Sequence, residues 1–175
     1  DSFTHTFSAT LRATSFRLFL AIAAGRKLQV HQFDVTSAFT QASIDTEIYV
    51  DPPKGFETKG KDGKPQVLRL LKALYGTKQA ARLWQQALIK HLLSMGFKQS
   101  PHDPCIFRYV GKHGECLIGA YVDDILCACS SKGTFDWFSS QFLHSETNPE
   151  GFYGKHLGKA NYFLGMAIDQ YDDYS

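Results

Sequence analysis

Two adjacent aspartates interrupt an apolar stretch of this chain. Leu117-Ile118-Gly119-Ala120 precedes Tyr121-Val122-Asp123-Asp124, and Ile125-Leu126-Cys127-Ala128 follows. Short runs of β-branched and small residues on either side of a polar pair predict a β-hairpin with Asp123 and Asp124 at its tip. A carboxylate withdrawn from water is strongly destabilising unless a cation or hydrogen-bond donors offset the loss, and a neighbouring anion adds to the penalty. A divalent metal is the natural offset. The competing reading is ordinary turn chemistry, in which an Asp-Asp pair closes a solvated loop. Successive strand side chains point to opposite faces, so the two carboxylates do not simply follow one strand into one site. Asp123 is therefore expected to be the main ligand and Asp124 the more peripheral one.

A second apolar-rich run, Leu28-Gln29-Val30-His31-Gln32-Phe33-Asp34-Val35, carries one acid near its end. Two-metal phosphoryl transfer needs carboxylates from separate elements to converge on ions roughly 4 Å apart. Asp34 with Asp123 and Asp124 supplies the residue types for that chemistry, although a strand-end Asp also serves as a solvated residue or helix cap.

Five ordered blocks then define a resemblance: FDVTSAF (33–39), LYGTKQAARLW (74–84), SPHDPCIF (100–107), YVDDIL (121–126) and YFLGM (162–166). Together they resemble the reverse transcriptase of copia-type LTR retrotransposons (Pseudoviridae), through nearly the whole chain. The resemblance implies an α+β fold, a right-hand polymerase palm whose antiparallel sheet carries helices near 14–24 and 80–95 on one face, plus partial fingers over about 40–75. It implies RNA-directed DNA polymerase activity, with Asp34, Asp123 and Asp124 as catalytic carboxylates holding two Mg2+ (Mn2+ as an alternative) and the Val35 carbonyl completing the metal shell. Mg2+ suits such a site because it favours oxygen ligands and leaves positions for water and phosphate. Phe39 falls where the family excludes a ribose 2′ hydroxyl by bulk; it is equally readable as a core residue at a strand-to-helix junction. Tyr75, Gly76, Lys78 and Gln79 correspond to contacts beside the templating base and incoming dNTP, with Gly76 permitting close approach and Lys78 meeting phosphate. Leu164 and Gly165 resemble the hairpin that grips the primer terminus, against the plainer alternative of an edge strand.

Two residues depart from the family pattern, Thr77 where Leu is usual and Ala81 where Pro is usual. The missing Pro predicts a shifted or looser start to the following helix. In that helix Leu83, Trp84, Ala87, Leu88, His91, Leu92 and Met95 form a core-facing stripe, with His91 a packed core residue and Gly96 a stop. Phe16–Ala24 reads as a short packed helix capped by Thr14 or Ser15 and stopped by Gly25. Short strands are expected near Tyr49 and Val67, a short helix around Phe135, Phe138 and Phe142, and a turn at Asn148-Pro149-Glu150-Gly151. Tyr171-Asp172-Asp173 mimics the tetrapeptide but lacks a following apolar arm and is rejected as the site.

At 175 residues, 43% hydrophobic and 14% aromatic, the chain suffices for one core. A formal charge of +2 leaves any nucleic-acid groove to local clusters, of which Lys54, Lys59, Lys61, Lys64, Arg69 and Lys72 is the best; a solvated loop is the alternative. The four cysteines (Cys105, Cys116, Cys127, Cys129) lack CxxC spacing, which argues against structural zinc and for small core residues in a reducing compartment. No run of about 18 apolar residues marks a membrane span. The chain starts without Met and the family's triphosphate-holding strand is not matched, so a single partial domain without thumb or RNase H is expected, weak or inactive alone. Its expected partners are an RNA or DNA template with primer, dNTP, and the integrase and RNase H of a polyprotein; its expected place is intracellular, in a cytoplasmic virus-like particle or the nucleus. The competing readings are a noncatalytic RNA-binding module on a related sheet, a decayed element, and a two-metal nuclease, which the order of the blocks disfavours.

Overall fold

The computed structural model describes residues 7–171, so Asp172 and Asp173 lie outside the described residues. Along the chain come α1 (Ala13–Gly25), β1 (Gln29–Val35), α2 (Ala38–Gln41), β2 (Tyr49–Val50), β3 (Leu68–Arg69) and α3 (Ala80–Ser94). Then follow β4 (Lys98–Gln99), β5 (Ile106–Gly111), β6 (Gly114–Tyr121), β7 (Asp124–Cys129), α4 (Lys132–Phe142), β8 (Gly154–Lys159), β9 (Tyr162–Phe163) and β10 (Met166–Ala167). Six strands form one sheet in the order β4-β5-β6-β7-β1-β8, and every pairing in it is antiparallel.

Strand alternation divides the central side chains between two cores. Phe33, Ile118, Ile125 and Cys127 point to one face, where Leu83, Trp84, Leu88 and Leu92 of α3 and Phe138 and Phe142 of α4 cover them. Val30, Leu117, Leu126 and Ala128 point to the other face, against Phe16, Phe19 and Ala23 of α1 and Phe163 and Ile168 near the β9–β10 hairpin. The expectation that the helices near 14–24 and 80–95 share one face is thus corrected: both faces of β6, β7 and β1 are apolar, so each needs its own cover. Each fully buried Phe, Leu or Ile contributes about 1.5–3 kcal/mol, and the two layers fix the central strands from both sides.

The α3 stripe forms as its periodicity predicts. His91 packs against Phe152 (4.8 Å between ring centroids) and donates from Nε2 toward the Gln141 carbonyl at 3.0 Å; burial lowers its pKa. The start of α1 differs from expectation. Arg12, not Thr14 or Ser15, occupies the N-cap position and makes no side-chain cap bond. The Arg12 N–H instead donates to Asp103 Oδ2 at 3.3 Å, so a carboxylate from a distant loop meets the helix start. Ser131 caps α4 by accepting from the Thr134 N–H at 3.1 Å.

Tyr49 and Val50 pair with Arg69 and Leu68 in a two-stranded ribbon. The cations Lys54, Lys59, Lys61, Lys64, Arg69 and Lys72 are all exposed along this segment. Among the described residues no helix is long and apolar enough to cross a membrane.

Candidate catalytic carboxylate site

The register of β1 against β7 sets Asp34 directly opposite Asp124. Directly opposed residues of an antiparallel pair have Cα atoms about 4.5–5.5 Å apart and side chains on the same face. The β6–β7 hairpin closes with Tyr121 opposite Asp124, which leaves Val122 and Asp123 as its two-residue turn. The expected tip of Asp123 and Asp124 is therefore corrected by one residue: Asp124 begins β7, and only Asp123 is a turn residue. Val122 takes a φ of 55°, where a β-branched residue is disfavoured. Bonds from outside the hairpin hold the turn there. Trp84 Nε1–H donates to the Val122 carbonyl at 2.7 Å and the Val35 N–H donates to the Asp123 carbonyl at 2.9 Å.

Asp124 is half-buried, and Gln32 Nε2 donates to its Oδ1 at 3.2 Å. Burial raises its pKa above the ordinary carboxylate value, the charges of Asp123 and Asp34 push it the same way, and the Gln32 bond opposes them. Three oxygen-donor side chains, one of them an Asp124 that burial and its two acidic neighbours push toward its protonated form, make a donor set suited to a hard divalent cation, which reverses that electrostatic balance. As a set the three carboxylates stand wider than 4.8 Å; among the described residues the group of three ligand atoms closer than that is the thiols of Cys116, Cys127 and Cys129. Ligands of an ion pair roughly 4 Å across spread more widely than those of one ion.

β8 lies beside Asp34 on the other flank, with Lys155 opposite Asp34 and Gly154 opposite Val35. A Cβ at Gly154 would fall 2.5 Å from the Asp34 carbonyl oxygen. Absence of a side chain is what lets β8 pair at this point.

Phe39 sits on α2, and its ring lies 4.5 Å from that of Tyr75, so residues from two separate blocks meet. Tyr75, Gly76 and Lys78 are exposed, with Gly76 at a φ of 92°. Gln79 occupies the N-cap position of α3 and is only 7% exposed. Its Nε2 donates to Thr46 Oγ1 at 3.3 Å, while its buried Oε1 has no protein partner. Phe39, Trp84 and Val122 line one small apolar cavity, which places α2, α3 and the hairpin turn side by side.

Leu164 and Gly165, at φ of 49° and 77°, form the two-residue turn between β9 and β10. Two successive positive φ values are the signature of a type I′ hairpin turn, where glycine is favoured at the second position. This segment is a hairpin rather than a plain edge strand. Phe163 packs on Phe16 at 5.3 Å in the same cluster as Leu126. Leu126 lies two residues along β7 from Asp124, so the hairpin and the Asp34–Asp124 pair share a sheet face.

Two participants have no signal in the sequence, Gln32 and Trp84. A strand glutamine and a tryptophan on a buried helical stripe read the same whatever their polar atoms bond. The three buried thiols also converge unannounced. Cys116 stands opposite Cys129 in the β6–β7 register, and the sulfurs lie 3.2–3.6 Å apart.

The chain matches the family model described as "Reverse transcriptase (RNA-dependent DNA polymerase)" over residues 1–174. It is 35% identical over 167 residues to the retrovirus-related Pol polyprotein from transposon TNT 1-94 of Nicotiana tabacum, covering 95% of this chain and 12% of that protein. It is 34% and 32% identical, each over 180 residues, to the retrovirus-related Pol polyproteins from transposons RE2 and RE1 of Arabidopsis thaliana, covering 94% of this chain and 12% of each protein. With the ordered blocks and the mainly antiparallel sheet consistent with that match, the chain belongs to the reverse transcriptase family, as the reverse transcriptase domain of a copia-type retrotransposon polyprotein.

Proposed function

We propose that this chain is the catalytic core of an RNA-directed DNA polymerase, a palm with part of the fingers, transferring nucleotides from dNTP to a primer 3′ hydroxyl. The observation that carries this reading is the register that opposes Asp34 to Asp124, with Asp123 in the β6–β7 turn directly before it. The three carboxylates would hold two Mg2+, with Mn2+ as an alternative, and the Val35 carbonyl would complete the set. When bound, such ions lower the barrier by activating the attacking hydroxyl and stabilising the leaving oxygen.

The remaining roles belong to the chain itself. Phe39, braced by Tyr75, bounds the sugar pocket and rejects a 2′ hydroxyl by bulk while offering it no hydrogen bond. Tyr75, Gly76, Lys78 and Gln79 line the nucleotide side; the buried, unpartnered Oε1 of Gln79 is an acceptor suited to a ligand N–H or O–H. Leu164 and Gly165 present backbone to the primer terminus. The exposed lysines between 54 and 72 supply sequence-independent attraction to template phosphates. In the parent polyprotein, integrase and RNase H would act alongside this domain.

The test is primer extension on an RNA template with dNTPs and Mg2+, comparing this chain with its Asp123→Asn form. Loss of extension in the variant, by about three orders of magnitude or more as expected when positioning and charge stabilisation fail together, supports the reading. Extension that persists undiminished in the variant overturns it, and no extension from either removes autonomous catalysis from this chain.

A further inference from the structure

The turn bearing Asp123 is held by groups outside its own hairpin. One bond, from the Val35 N–H to the Asp123 carbonyl, is backbone to backbone, and any residue but proline at 35 supplies it. The other depends on a side chain. Trp84 reaches the Val122 carbonyl from α3, 38 residues away in sequence. Its ring is 2% exposed and set at 72° against Phe152, 4.8 Å away, so the indole N–H is a fixed donor. Packing accounts for a buried aromatic ring at this position; it does not account for the aim of its one polar atom at a residue in a disfavoured conformation.

We propose that Trp84 is a positioning residue for the carboxylate site: by holding the Val122 carbonyl it fixes the peptide that joins Val122 to Asp123, and so the direction in which Asp123 meets divalent cations. This rests on the carboxylate reading above. Without the donor the carbonyl loses its partner and the turn relaxes toward conformers in which Val122 leaves positive φ. α3 begins immediately after Gln79, so the helix that follows the nucleotide-side block and the turn that carries an acid are joined by this bond.

The experiment measures Mn2+ affinity by calorimetry on the full chain and on Trp84→Phe, Val122→Gly and the double variant, with thermal melts to verify folding. Phe keeps the ring and removes the donor. Trp84→Phe is expected to weaken Mn2+ binding about tenfold, the equivalent of one lost hydrogen bond. In the Val122→Gly background, where positive φ carries no strain, the same change is expected to weaken it less than about threefold. Affinity within about twofold of the parent chain overturns the proposal, and so does an equal loss in both backgrounds, which makes Trp84 a packing residue only.

If Trp84→Phe does not fold, reciprocity supplies the reading: an ion that binds better to the held turn must also tighten the hold. The chain has two tryptophans, so in Trp137→Phe the sole indole N–H is that of Trp84. Its hydrogen exchange, followed by NMR, is expected to slow about tenfold with saturating Mg2+; exchange indifferent to the ion overturns the proposal. A parent chain that binds neither ion removes the carboxylate reading and this proposal with it, whereas ion binding insensitive to Trp84 removes only the role of Trp84.

Discussion

At Asp124 the fold opposes a charge that the proposed metal site calls for. Burial, then Asp123 and Asp34, raise the folded pKa above the unfolded one. The stability drawn from this group is therefore present below the unfolded pKa and is lost as pH rises through the folded value. At neutral pH the ionised carboxylate is a net burden on the apo chain. Asp124→Asn is expected to melt above the parent at pH 7, and the difference to close below about pH 3.5, where both states bind the proton; thermal melts across that range decide it. Added Mg2+ is expected to raise the melting temperature of the parent at pH 7 more than that of the variant. Asp34, Asp123, Asp124, Phe39 and Tyr75 are singled out in the sequence by residue type and block order, and the structure sets Asp34 opposite Asp124 and Phe39 against Tyr75. The hairpin tip is not. A polar pair is the better turn by local preference, yet pairing of Asp124 with Asp34 and the bonds from Trp84 and Val35 select Val122 and Asp123 instead. Tertiary contacts override a local conformational cost there, and no local pattern announces them.

Among the elements, β8 depends on one small residue. A side chain at 154 would meet the Asp34 carbonyl and the Val35 Cα, at 2.5 and 3.2 Å, and both atoms are backbone of a central strand that cannot turn aside. Gly154→Ala is expected to destabilise the chain by about 1–3 kcal/mol, a fall in melting temperature of roughly 2–4 °C per kcal/mol for a domain of this size. It should also reduce any Mg2+-dependent extension, since the displaced strand lies against Asp34. Melting and extension measured on the same preparation separate the two effects. The helices at 13–25 and 80–94 are legible from apolar spacing, to within a residue or two. Which face each covers is not, because that depends on strand order, and β1 lies between β7 and β8, far from both in the chain. Periodicity states that a helix has an apolar side; only the assembled sheet states what that side meets.

For the molecule as a whole, the two cores leave the thiols out of reach of solvent. All four cysteines are buried and free. Burial pushes the Cys116 and Cys127 thiols well up, and burial followed by the charge of Asp103 pushes Cys105 to about 12. Thiolate, the reactive form, is therefore scarce at these three positions until the chain opens. Their labelling by a thiol reagent at pH 8 is expected to follow global unfolding, with rates that rise with denaturant as the unfolding rate does; rapid labelling of any of the three in the native chain contradicts this. The ends of the sheet carry a different consequence. At one margin β4 offers only Lys98 and Gln99. At the other, β8 has exposed Lys155 and Lys159, and its register with β1 slips between Gln32 and Phe33. A short strand, a break in pairing and a pair of exposed lysines each discourage the docking of a further strand. The sheet that brings two acids face to face is thus protected against growing by accretion from neighbouring molecules, and its open backbone is turned from a template for aggregation into an ordinary wetted edge.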